Sequence, residues 1–194
     1  MATTQEIFDT ACGHYNEAME MIEKLGAIIR STNYKFSDNI AKREFDYILQ
    51  CILIEVAIGD GNFSRIEAQF IEKITDRGDI LVYINNRYPT ETQITWEALY
   101  NCDTSAVQFL SLILDKLIES KIDDFVSFFA AIDAATPDID ICDFFVKKLV
   151  AIGAGLALVD GFVSNGEREA VSDKIYSVFY RRWQKQKNEF LAMN

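Results

Sequence analysis

Ala57-Ile58-Gly59-Asp60-Gly61-Asn62-Phe63-Ser64-Arg65-Ile66-Glu67 recurs as Ala157-Leu158-Val159-Asp160-Gly161-Phe162-Val163-Ser164-Asn165-Gly166-Glu167, at a constant offset of 100 positions. Upstream, the same offset pairs Phe45 with Phe145, Leu49 with Leu149 and Ile52 with Ile152. Such self-similarity marks a duplicated supersecondary unit in which each copy covers part of the other's apolar face. In both copies an apolar run enters an Asp-Gly turn and leaves it through S-x-x-E. That spacing starts a helix: the serine accepts an orphan amide while the glutamate reaches back to the serine's own amide. Gly61 and Gly161 permit the positive φ of a tight turn, and Phe63 and Val163 stand where a hydrophobic staple would fasten the loop to the next helix. The repeated unit is therefore helix-loop-helix. It predicts an all-α fold, a helical bundle with two pseudo-repeated helix-loop-helix units.

The rest of the chain agrees with that unit. Prolines occur only at Pro89 and Pro137, and apolar residues between breaks recur at three- and four-residue spacing, the period of a packed helix. A first helix is expected over 5–29, its buried stripe formed by Ile7, Phe8, Ala11, Tyr15, Ala18, Met19, Ile22, Leu25 and Ile29. A second over 39–58, capped by Ser37 and Asp38, would turn Phe45, Ile48, Leu49, Ile52, Leu53 and Val56 inward. A third runs from Ser64 to about residue 76. Residues 80–86 suit a short helix but also tolerate a strand through Val82, Tyr83 and Ile84. Residues 87–95 are polar, hold Pro89 and read as a linker. Helices over 96–101, 106–119, 122–135 and 140–158 complete the reading. The expected organisation is one domain over 1–194 with pseudo-repeat halves at about 37–86 and 96–180.

Thirty acidic against 19 basic residues give a formal charge of -11, which repels phosphate backbones and anionic lipid surfaces. Nucleic acid is excluded as a first expectation, and a cation or a basic patch on a protein partner matches better. The same charge also serves solubility alone. Cys12, Cys51, Cys102 and Cys142 form no C-x-x-C pair, and isolated thiols suit a reducing, cytoplasmic setting. Residues 1–9 carry early acids and no apolar core behind basic residues, so no secretory leader is expected. The longest apolar run, 149–159, is well short of the roughly 20 residues that span a bilayer, so no membrane insertion is expected.

Capping explains the serine and glutamate of the repeat but not the aspartate before each glycine. Asp60 and Asp160 end a helix, where a carboxylate meets the negative pole of the macrodipole. Something compensates, either an Asx-turn that supplies loop amides or a divalent cation shared with Glu67 or Glu167. The spacing also resembles the second half of an EF-hand loop, whose last glutamate holds calcium. The first half fails, since Val56 and Ile58, and Leu156 and Leu158, stand where carboxylates are required. Any metal site must draw acids from elsewhere in the fold.

At these residues the sequence resembles the TerB-like family, named for tellurite-resistance protein B, in which an apolar helix runs into a D-G-x-hydrophobic-S-x-x-E turn and a second copy follows late in the domain. The resemblance covers 45–74 and 145–175 and is weak between them. Here Gly59 and Val159 stand directly before the aspartate, with Ala57 and Ala157 three positions ahead. The resemblance implies a duplicated all-α bundle, a link to bacterial stress responses with suspected metal-ion sensing, and Asp60, Glu67, Asp160 and Glu167 as the acids on offer. It also implies a non-catalytic protein. A purely structural protein-protein interaction module, its loops held by caps and without metal, is the alternative.

The remaining motifs weigh little toward catalysis. His14 is the single histidine, so no His-dependent triad or multi-histidine zinc site can assemble. Gly153-Ala154-Gly155 lacks the third glycine of a dinucleotide fingerprint and reads as a small-residue face for close helix packing. Phe125, Phe128, Phe129, Phe144 and Phe145 read as core. Arg181, Arg182, Lys185 and Lys187, beside Tyr180 and Trp183, either complement a helix C-terminus or form a basic aromatic face for an acidic partner or a second copy of the chain.

Overall fold

The computed structural model describes residues 2–31, 37–59, 63–75, 80–89, 93–101, 103–136, 138–161, 165 and 171–193. Among them every regular element is helical and there is no strand. The order is α1 (Thr4–Ser31), α2 (Asp38–Ile58), α3 (Arg65–Ile74), α4 (Ile80–Arg87), α5 (Trp96–Tyr100), α6 (Thr104–Ala135), α7 (Ile141–Val159), α8 (Asp173–Tyr180, wound as a wider π-helix) and α9 (Arg181–Met193). No helix among the described residues is long and apolar enough to cross a membrane.

One hydrophobic cluster runs through α1 to α9, and α2 is its axis. Residues 48–57 of α2 are buried without a break, because α1, α3, α4, α6 and α7 all pack on it. A helix hidden on every side has no solvent face. The expected inward residues of α2 are therefore buried, but so are Glu44 and Glu55 on one side of the helix and Asp46 and Gln50 on the opposite side. Three of these polar ends have a partner on a neighbouring helix. Lys121 of α6 meets Glu44 at 2.8 Å, the Tyr15 hydroxyl of α1 donates to Asp46 at 2.7 Å, and Gln50 Oε1 accepts the first amide of α4 at 3.1 Å.

Aromatic rings fill the space between α2, α6, α7 and the C-terminal helices. Phe45 and Phe145, 100 positions apart, lie with ring centroids 5.7 Å apart, and Phe125 meets Phe145 edge-on at 5.1 Å. Phe179 and Trp183 close the cluster from α8 and α9. The five phenylalanines read as core divide accordingly. Phe125, Phe129 and Phe145 are fully buried, and Phe128 and Phe144 pack on its edge.

Two expectations are corrected, and one left open between helix and strand is decided. The helices over 106–119 and 122–135 are one, α6, since Ser120 and Lys121 interrupt the apolar period without supplying a helix breaker. Residues 80–87 form a helix, and Ile80, Leu81 and Ile84 are buried at helical spacing, so packing overrides the β-preference of Val82 and Tyr83. The stretch read as a polar linker is fastened at its described end: Ile94 is buried and its amide and carbonyl bond the Asn85 side chain at 2.9 and 2.7 Å.

Small residues set how closely α1, α3 and α7 approach. A Cβ on Gly155 would stand 3.3 Å from Phe70, 3.6 Å from Ile7 and 3.7 Å from Ala11, and one on Gly153 would stand 3.3 Å from Val171. The Gly153-Ala154-Gly155 run is thus the packing face its composition predicts.

Candidate functional site

The first copy of the repeated turn is a capped helix start. Ser64 is extended (φ -89, ψ 157) and precedes α3. Its amide donates to Glu67 Oε2 at 2.6 Å, and the Glu67 amide donates to Ser64 Oγ at 3.3 Å. Both bonds of the expected capping box are therefore made, and Glu67 is only 2% exposed. Phe63 is buried as expected of a staple, but its ring stacks on Trp96 and Tyr100 of α5, each with centroids 5.7 Å away. The loop is fastened sideways to α5. Asp60 and Gly61 lie outside the described residues.

The second copy is described at its entrance. The last helical residue of α7 is Val159, Asp160 follows in helical geometry (φ -90, ψ -4) and is exposed. Gly161 then turns the chain with φ 87, the one position where the glycine of this turn is seen to be needed; its amide donates to the Leu158 carbonyl at 3.1 Å. Val163, Ser164 and Glu167 lie outside the described residues. Of the four acids singled out, Glu67 is engaged in its cap and Asp160 stands at a helix end. Among the described residues no group of three or more His, Cys, Asp or Glu is placed to hold a metal ion.

Beside Asp160 lies an apolar groove of about 310 Å³, lined by Val150, Ala154, Ala157 and Leu158 of α7 and by Val171, Ser172 and Tyr176 at and before α8. It exists because Gly153 lets Val171 lie against α7, while Ala154 is too short to fill the space above. Leu158 and Tyr176 form its lips and are 50% and 49% exposed. This volume is at the low end of the roughly 300–1,000 Å³ of small-molecule pockets. Among its described lining residues the polar side-chain atoms are two hydroxyls, fewer convergent groups than an oriented small ligand requires.

Charged side chains away from the repeated turns hold the structure. Asp133, fully buried, accepts the Ile141 amide at 3.0 Å and the Trp183 indole N–H at 2.7 Å, and pairs with Lys187 at 3.1 Å. Arg182 reaches Asp123 at 2.8 Å and Glu119 at 3.5 Å. Much of the basic aromatic face of the C-terminus thus docks on α6 of its own chain. Lys121 lies 5.5 Å from the ring centres of both Tyr47 and Tyr83. Burial pulls its ammonium down, but the hydrogen bond and charge of Glu44, with Tyr83 and Asp124, outweigh that and raise it overall. The sequence signal for this pair is a lysine inside an apolar helical stretch, which by local pattern reads as a break.

Two of the thiols are held away from nucleophilic chemistry. Burial pushes the Cys51 thiol far up, with Glu55 adding to it, and burial does the same to Cys142 beside Asp140 and Asp133. Such thiols stay protonated and inert. Half-buried His14 lies against Lys148 and Glu17 on the surface of α1 and α7. Compared with family models, curated proteins and solved structures, the chain matches none of them.

Proposed function

We propose that this chain is a non-catalytic binding module of the TerB-like kind, a single helical domain over 1–194 with pseudo-repeat halves at about 37–86 and 96–180. Its acidic inter-helix ends receive a basic group of a partner protein, in the stress-response setting that the resemblance implies. One observation carries the reading: Asp160 is exposed at the C-terminal end of α7, whose last turn holds no basic residue. A helix end carries about half a negative charge, and an exposed carboxylate there adds to it. The pairing of Phe45 with Phe145 in the core supports the duplication, and the inert thiols support a role other than catalysis.

A divalent cation at the same turn is the second form of this reading, and it requires Asp60 or Glu167 to join Asp160. Glu67 favours the purely structural alternative for its own copy, because its carboxylate already serves the Ser64 amide. Calorimetric titration separates the three. Oligolysine is expected to release heat that falls in Asp160→Ala, with calcium, magnesium, zinc and manganese silent. Cation heat that vanishes in Asp160→Ala would replace the basic partner by a metal, and silence toward every titrant would leave only the capped structural joint.

A further inference from the structure

We draw no further inference here: the strongest candidate, the apolar groove between α7 and α8 with Leu158 and Tyr176 at its lips, is an unpartnered apolar face, and nothing among the described residues shows what covers it.

Discussion

Replacing Asp133 by alanine removes one carboxylate and strips three elements of a shared partner. Asp133 is fully buried at the end of α6, where it accepts the first amide of α7 and the Trp183 indole of α9 and pairs with Lys187. In Asp133→Ala the indole N–H and the Ile141 amide lose their acceptor in a dry site, each at a cost of about 1–3 kcal/mol. Lys187 keeps partial access to solvent, its side chain being 20% exposed, and contributes little beyond that. The expected destabilisation is about 3–5 kcal/mol, as for a broken buried pair, and for a chain of this size the melting temperature falls by roughly 6–20 °C. Urea unfolding followed by circular dichroism measures it. A double-mutant cycle with Trp183→Phe isolates the indole bond, whose loss should cost about 1 kcal/mol less once Asp133 is gone. A cost of less than about 1 kcal/mol for Asp133→Ala would refute the reasoning, because it would mean that water already serves these donors.

Two further outcomes follow from the packing and the charges. Gly155→Leu forces side-chain atoms into Phe70, Ile7 and Ala11 and should destabilise the chain by about 1–3 kcal/mol or more, measured by the same urea unfolding, whereas Gly13→Ala, with open space at its Cβ, should stabilise α1 by about 0.5–1 kcal/mol. Lys121 has its ammonium raised by Glu44 despite burial, so the stability from this pair is fully present below the ordinary lysine value of about 10.5 and is lost as pH rises through the raised one. Alkaline unfolding of the wild type should therefore be steeper above that pH than that of Lys121→Met, and parallel curves would contradict the assignment.

The parts of this fold that were legible from sequence are those decided locally. The α3 start follows from Ser64 and Glu67 because a capping box needs only residues three positions apart, and α1 follows from a stripe that stays amphipathic over its whole length. Where tertiary packing decides, local pattern misleads. The charges of Glu44, Asp46 and Glu55 suggest solvent-exposed positions on α2, yet five helices surround it, and Lys121 looks like a gap in α6 because its partner is far away in sequence. Val82 and Tyr83 carry strand preference that the burial of Ile80, Leu81 and Ile84 outweighs. The acids of the repeat were visible as a motif, and the use of Glu67 as a cap was one of its stated readings. The groove was hidden. It depends on the approach of Val171 to Gly153, and nothing in the apolar pattern of α7 alone tells Leu158, half exposed, from Leu156, fully buried.

The reading of the first repeated turn depends on Glu67 working as a helix cap and not as a metal ligand. A double-mutant cycle of Ser64→Ala and Glu67→Ala in urea, run with and without calcium, tests it directly. The two substitutions should be coupled by about 0.5–1 kcal/mol, with midpoints that calcium leaves unmoved. Additive effects, or a wild-type midpoint that calcium raises and Glu67→Ala abolishes, would contradict it.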